Sequence, residues 1–296
     1  MTGMATLLES FPEIVKADEP LGPFTLLRVG GKAENLVQPR SIEELAAVMK
    51  FAAANKLPVR ILGIGSNVLV QDEGVSGIVL RLSAPAFTRV EVEARRVRAG
   101  GGAALSELIS ESARRNLGGL ETLVGIPATV GGALRVNAGD RSGEIGQYAR
   151  RVQVLDGRHI AVWREHDELR FGEHQSNLDD PVILAAEFEL DIDKPDAIVK
   201  RMRRSWITRM AAQPYSFEAA ARAFKDPRGL RASALIEQAG LGKTKVGKAA
   251  LSERNANYVV AGTGASARDV LRLLDLVRSK VRESSGVQLE HDITIW

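Results

Sequence analysis

The sequence contains no cysteine. That excludes disulfides, thiolate metal sites and cysteine nucleophiles. Histidine is scarce, with only His159, His166, His174 and His291. No two of them stand at HxxxH or HExxH spacing, so no metal site is expected. Neither sign of charge is in excess: 40 Lys and Arg face 37 Asp and Glu, a net +3 spread along the chain. A nucleic-acid partner is therefore not expected. No apolar run is long enough to cross a membrane, so no membrane partner is expected either. The first twenty residues carry Glu9, Glu13, Lys16, Asp18 and Glu19. They lack the apolar core and basic lead of a signal peptide, so a cytoplasmic protein is expected; a monomer is expected as well. What remains is the composition of a soluble globular protein, 45% hydrophobic and 26% charged over 296 residues. That length accommodates two or three small domains or one large one.

Glycine, by contrast, is clustered. Residues 124–139 read VGIPATVGGALRVNAG, with Gly125, Gly131, Gly132 and Gly139. This stretch is expected to be neither a regular helix nor a half-buried strand. Glycine serves where backbone bends sharply or approaches another surface, and exposed N–H groups in such a turn suit an anion. An ordinary Gly-rich connection is an equal reading of this stretch alone. A second cluster, Gly63-Ile64-Gly65-Ser66-Asn67, shifts the balance. Together the two could bracket a pyrophosphate, with Ser66, Asn67, Thr129 and Asn137 adding neutral hydrogen bonds. Two familiar nucleotide motifs are excluded. Gly63-x-Gly65-x-x-Val68 lacks the third glycine of a dinucleotide fingerprint and precedes a strand. Gly242-Lys243-Thr244 lacks the earlier P-loop glycine, since position 237 is Glu.

In chain order, residues up to 23 read as a leading arm, followed over 24–33 by a short strand running into a Gly30-Gly31 turn. Ser41 with Glu44 forms a capping-box signal, and Ile42, Leu45, Met49 and Ala52 then fall on one helical face. Strands are expected at 59–62, 68–70 and 77–82. A hairpin follows over 90–99, turning at 94–96, and then a helix over 104–116. Asp156-Gly157 marks another hairpin, and residues 181–192 form a strand buried at first and alternating later. A basic helix over 195–210 presents Ile198, Met202 and Trp206, and a short helix covers 232–239. Ser266 with Asp269 opens a long helix ended by Gly286, and 287–296 reads as an alternating strand. The expected class is α+β with largely antiparallel sheets, in three parts: 1–83, 84–194 and 195–296.

Several motifs carry a family resemblance. They are Thr25-x-x-Arg28-Val29-Gly30-Gly31, Gly63-x-Gly65-Ser66-Asn67, Gly125-Ile126-Pro127-x-Thr129-Val130-Gly131-Gly132-Ala133 and Asn137-Ala138-Gly139. Gln213-Pro214, Phe224-Lys225-x-Pro227, Leu235-Ile236-Glu237-x-Ala239-Gly240 and Asn255-Ala256-Asn257 continue the series. In order and spacing the chain resembles the UDP-N-acetylenolpyruvoylglucosamine reductase family from about residue 20 to the end, in its shorter form. The resemblance implies a two-subdomain FAD-binding module of the vanillyl-alcohol-oxidase-like type, followed by a C-terminal α+β substrate domain. It implies FAD as cofactor, NADPH as reductant, and a UDP-sugar as substrate. The flavin-holding set it implies is Arg28, Gly63, Gly65, Ser66, Asn67, Gly125, Ile126, Pro127, Thr129, Val130, Gly131, Gly132, Asn137, Ala138 and Gly139. Lys225, Glu237 and Asn257 are implied to face the substrate.

The departures from the family pattern fall on the chemistry. The family's enolate-stabilising Arg is replaced by His174, its proton-donating Ser by Arg222, and its last-strand Glu by Asp292. An Asn before Pro227 becomes Asp226, a glycine after Pro127 becomes Ala128, and a His before Ala256 becomes Asn255. Arginine cannot donate a proton near neutrality, its pKa lying above about 12. One reading keeps the reaction with roles rearranged: Arg222 steadies the enolate, His174 donates the proton, and Asp292 keeps a carboxylate. The alternative is a flavin-binding paralogue that has lost turnover.

Overall fold

In the computed structural model, which describes residues 6–140, 142–214 and 219–296, helices begin at the caps that the sequence offers. Ser41 Oγ accepts the Glu44 N–H at 3.2 Å and opens α1 (Ile42–Ala54). The other half of the expected capping box is absent. The Glu44 carboxylate instead accepts from Arg40, from its N–H at 2.7 Å and its guanidinium at 2.8 Å. The charged partner wins because a charge-assisted bond is the stronger one. Further helices are α2 (Leu105–Arg114), α3 (Val130–Arg135), α4 (Pro195–Ala212), α5 (Ala232–Gln238) and α6 (Ala267–Ser285). α6 has the full reciprocal box between Ser266 and Asp269 and ends on Gly286 at φ 71°.

Two expectations near the N-terminus are corrected. The leading arm contains a short helix, Leu7–Ser10, and a strand, β1 (Val15–Pro20). The short strand expected between Phe24 and the Gly30-Gly31 turn is absent, and regular strand begins only after those glycines, at β2 (Lys32–Val37). Before it, Gly22–Phe24 close a tight turn around Pro23, and Arg28 takes a positive φ of 54°. Both break a regular extended chain.

The chain forms two compact units, neither continuous in sequence. Unit 1 takes the chain up to Ala17, Asn35–Gly63 and Gly77–Thr208. Unit 2 takes Asp18–Glu34, Ile64–Ser76 and the chain from Arg209 on. β3 (Val59–Ile61) pairs in parallel with β4 (Val75–Leu80), in a four-stranded sheet of order β1-β2-β4-β3.

Unit 1 also holds an antiparallel five-stranded sheet. Its strands are β5 (Val90–Glu93), β6 (Arg96–Gly100), β7 (Ala149–Leu155), β8 (Ala161–Glu165) and β9 (Val182–Glu189), in the order β8-β7-β9-β6-β5. α2 and α3 close one face, where Leu105, Leu108, Val130 and Leu134 meet Val97, Val152, Ala186 and Phe188. The start of β9 is buried on both faces, because Val182 and Leu184 join a second core with Leu45, Val48 and Leu80. That is why the strand alternates only in its second half. Glu165, Arg151, Glu187, Arg98 and Glu91 lie opposite one another across the strands, so each cross-strand neighbour has opposite charge. Trp163 lies beneath Arg151, whose guanidinium is 4.4 Å from the ring centre.

The sheet of unit 2 is antiparallel, built from β10 (Ala220–Arg222), β11 (Lys245–Val246), β12 (Ala249–Leu251) and β13 (Tyr258–Ala261) in the order β10-β13-β12-β11. Its core joins Val259, Leu251 and Phe224 to Ile236, Val270, Leu274 and Val277, and takes in Leu27, Val29 and Leu69 from early segments. Only Thr294–Ile295 of the expected last strand is regular, pairing in parallel with Val68–Leu69. The alternation persists in burial, with Leu289 and Ile293 inside and Glu290 and Thr294 outside. On α4, Ile198 is buried but Trp206 is 47% exposed. Eight residues on, a helix has turned about 80° past the original face, so Trp206 leaves it.

Candidate functional site

The Gly65 turn belongs to unit 2. Among the described residues, the N–H groups of Ile64, Gly65 and Ser66 have no hydrogen-bond acceptor. Gly65 has φ 66°, and a Cβ there would lie 2.6 Å from the Phe24 carbonyl and 2.7 Å from the Thr25 Cα. Leu26 N–H donates to the Gly65 carbonyl at 3.1 Å, which pins the turn from one side. The last strand pins it from the other: Thr294 N–H donates to Asn67 O at 2.9 Å, and Asn67 Nδ2 to Asp292 O at 3.1 Å. The Asn67 amide, expected to contact a ligand, thus serves the turn. Three successive N–H groups without acceptors are a donor set suited to phosphate oxygens. Arg28, exposed, is carried on the segment that buttresses Gly65.

In unit 1, Gly63 lies against Thr129, since a Cβ on Gly63 would be 2.9 Å from Thr129 Oγ1. The 124–139 stretch contains a helix after all. Thr129 caps α3, its Oγ1 accepting from Gly132 N–H at 3.2 Å. The N–H groups expected to face an anion are therefore committed elsewhere. Val130 donates to Ala103 O at 2.9 Å, Gly131 to Gly101 O at 2.8 Å, and Ala133 to Thr129 O at 2.8 Å. Among the described residues the N–H groups of Gly125 and Thr129 have no acceptor. The available donors thus sit just before the helix, not within its first turn. Ile126 N–H closes a turn onto Leu123 O, and Pro127 has no N–H to offer. Asn137 is also a structural residue. At 1% exposure, its Nδ2 donates to Glu144 Oε2 and to Gly172 O, and its Oδ1 accepts from Gly146 N–H. Ala138 and Gly139 continue this framework, with Ala138 N–H on Ala133 O and Gly139 paired to Glu144.

His174 stands at the tip of a two-stranded hairpin, Phe171–Gly172 against Gln175–Ser176. Asn137 holds one strand through Gly172 O, and Ser176 Oγ holds the other by donating to Arg135 O at 2.8 Å. The tip is exposed, and His174 takes φ 54°.

The other residues expected to react lie in unit 2. Arg222 ends β10, and its Nη2 donates to Asp226 Oδ2 at 2.9 Å. Its Nε stands 3.9 Å from Asp292 Oδ2. Asp292 is placed by its N–H, which donates to Ala223 O at 2.9 Å. Lys225 Nζ is 3.7 Å from Glu290 Oε2 on the surface, and Glu237 is exposed on α5. Asn257, expected to face substrate, is buried at 3% exposure. Its Nδ2 donates to Phe224 O at 2.8 Å and its Oδ1 accepts from Phe224 N–H at 3.0 Å. Its part is to hold the Phe224-Lys225 segment. Asn257→Ala would strand two buried backbone groups and is expected to cost about 2–4 kcal/mol of stability in urea denaturation. A variant of unchanged stability that is impaired only in substrate affinity would return Asn257 to the ligand.

No sequence motif assigns His291 a site role. Its ring packs on Phe224 with centroids 5.6 Å apart, and its buried Nε2 has no partner among the described residues. Burial lowers its pKa below the ordinary 6.5, Arg278 on α6 lowers it further, and Asp275 opposes. A depressed histidine binds its proton more readily in the unfolded chain. Stability is therefore full above about pH 6.5 and falls as pH drops from there toward the lower folded value. His291→Phe is expected to flatten that part of the stability–pH curve, measured by denaturant midpoints between pH 7 and pH 5. A curve identical to that of the parent would contradict this.

Among the described residues no helix is long and apolar enough to cross a membrane, and no cluster of candidate metal ligands occurs.

Comparison with known proteins gives a consistent picture. Residues 33–158 match the FAD binding domain model, and 213–296 match the C-terminal domain of UDP-N-acetylenolpyruvoylglucosamine reductase. The chain is 40% identical to UDP-N-acetylenolpyruvoylglucosamine reductase 2 of Symbiobacterium thermophilum, over 100% of this chain and 97% of that protein. It is 38% identical to the reductase of Moorella thermoacetica, over 95% and 93%. The crystal structure of the reductase from Thermus caldophilus superposes with a TM-score of 0.81 at 35% identity, covering 95% of this chain and 98% of that one.

Proposed function

Because the chain belongs to the UDP-N-acetylenolpyruvoylglucosamine reductase family, we propose that it reduces UDP-N-acetylglucosamine enolpyruvate to UDP-N-acetylmuramate, with FAD as cofactor and NADPH as reductant. The reaction belongs to peptidoglycan precursor synthesis, and so to cell-wall formation, cell shape and division. A monomer in the cytoplasm fits this role.

The observation that carries the reading is the acceptor-free run of N–H groups at Ile64, Gly65 and Ser66. Its donor chemistry fits the phosphates of FAD, and Gly125 and Thr129 N–H offer the same chemistry in unit 1. When bound, FAD supplies hydride transfer from NADPH to the enolpyruvyl double bond. The chain's own residues must then manage the charge and the proton. Arg222 has guanidinium N–H groups beyond the one committed to Asp226, and these can steady the developing enolate. His174 is assigned the proton delivered to the adjacent carbon, an imidazole being suited to that transfer near neutrality. Asp292 supplies a carboxylate beside Arg222. Lys225 and Glu237, both exposed, are assigned to the UDP-sugar.

The test is NADPH oxidation that depends on UDP-N-acetylglucosamine enolpyruvate, with a product heavier by two hydrogens. Absence of substrate-dependent oxidation in a yellow, folded protein would favour the second reading, a flavin-binding relative without turnover. One observation favours that reading: His174 has no hydrogen-bond or ion-pair partner among the described residues to orient it as a proton donor.

A further inference from the structure

Positions 222 and 226 carry opposite charges four residues apart, and both depart from the family pattern. The two oxygens of Asp226 do different work. Oδ1 accepts the N–H of Ala232, the first residue of α5, at 2.8 Å. Oδ2 accepts from Arg222 Nη2 at 2.9 Å. One carboxylate thus ties the guanidinium to a fixed point on the backbone. On its other side, Arg222 Nε stands 3.9 Å from Asp292 Oδ2, close enough for attraction but beyond hydrogen-bond length. A guanidinium free to choose would close on such a neighbour, since charge-assisted pairs settle near 2.7–2.9 Å. The Asp292 backbone is held where it stands, its N–H donating to Ala223 O and its carbonyl accepting from Asn67 Nδ2.

We propose that Asp226 is a positioning residue. It holds the Arg222 guanidinium out of a direct ion pair with Asp292, keeping Nε and Nη1 available to an anionic group of the ligand. The group that fits is a carboxylate, whose oxygens Nε–H or an Nη1–H can each bind through a single charge-assisted hydrogen bond. On the proposed function this is the carboxylate of the enolpyruvyl unit, and the inference rests on that reading for the ligand's identity. Asp226 also balances the charge that Arg222 brings, so the two substitutions act as one unit.

The experiment uses the flavin-loaded full chain and the variant Asp226→Asn. Asparagine keeps an acceptor for Ala232 and the shape of the side chain, and loses only the charge. The first readout is the Arg222 Nε–H resonance in 15N-labelled protein, assigned by its loss in Arg222→Lys. It is expected to shift in Asp226→Asn as the guanidinium closes on Asp292, and to return toward its original position in Asp226→Glu. The second readout is the dissociation constant of UDP-N-acetylglucosamine enolpyruvate, from its perturbation of flavin absorbance. Asp226→Asn is expected to raise it about tenfold, and to have no effect in an Arg222→Ala background. An unmoved Nε–H resonance, or an equal rise in both backgrounds, overturns the proposal. If the parent protein binds no UDP-sugar, the reductase reading fails, and the Nε–H resonance alone decides whether Asp226 positions Arg222.

Discussion

Arg222→Ala is expected to slow reoxidation of the reduced flavin by UDP-N-acetylglucosamine enolpyruvate by about 10²–10³-fold, the usual cost of losing one preorganised donor at a developing oxyanion. Reduction by NADPH, the earlier half-reaction, should be unchanged, because no enolate forms there. Stability should also change little. Asp226 and Asp292 lose a partner, but both are partly exposed and water can replace it. Arg222→Lys should recover only part of the loss, since an ammonium keeps the charge but not the planar fork. Rapid mixing of NADPH-reduced protein with substrate separates the two half-reactions. If Arg222→Ala reoxidises at the parent rate, Arg222 does not steady the enolate.

Gly131→Val is expected to abolish flavin retention through the fold. A Cβ at 131 would lie 2.9 Å from Gly101 O and 3.4 Å from Gly101 Cα, and both are backbone atoms that cannot rotate away. The same contact carries the Gly131 N–H bond to Gly101 O at 2.8 Å, so separating the segments breaks it. Overpacking of this kind costs about 1–3 kcal/mol, and the broken bond adds to it. The displaced residues include Thr129, whose side chain faces Gly63 and caps α3. The measurements are flavin absorbance after gel filtration and the urea midpoint. Gly157→Ala is the control, since a Cβ there would meet nothing within 4 Å. A Gly131→Val protein that stays yellow with the parent midpoint would remove this segment from the flavin-binding framework.

The contrast between these two sites shows what a sequence reader can and cannot see. The α6 cap at Ser266 and Asp269 and its stop at Gly286 are local chemistry, and they stand where the spacing places them. The helix α3 is hidden because Gly131 and Gly132 disfavour a helix locally. The close approach of Gly101 that requires one of them comes from thirty residues away. Asn137 and Asn257 look like ligand residues because amides in glycine-rich or family motifs often are. Only their burial reveals that each spends its hydrogen bonds on backbone or neighbouring side chains. The two-unit division is hidden for the same reason. Leu27, Val29 and Leu69 give no local sign that they share a core with Val259 and Leu274. Asp226 was legible only as a departure from the family pattern, and its link to Arg222 through an i,i+4 spacing becomes visible once β10 and α5 fix the intervening turn.

The proposed reduction proceeds in this chain with His174, Arg222 and Asp292 as the residues proposed to react. The most direct test is a single anaerobic turnover: FAD-loaded protein is reduced with one equivalent of NADPH and mixed with UDP-N-acetylglucosamine enolpyruvate. Stoichiometric return of the oxidised flavin spectrum, with UDP-N-acetylmuramate formed in equal amount, is the predicted result. A flavin that stays reduced in the presence of saturating substrate would contradict the account.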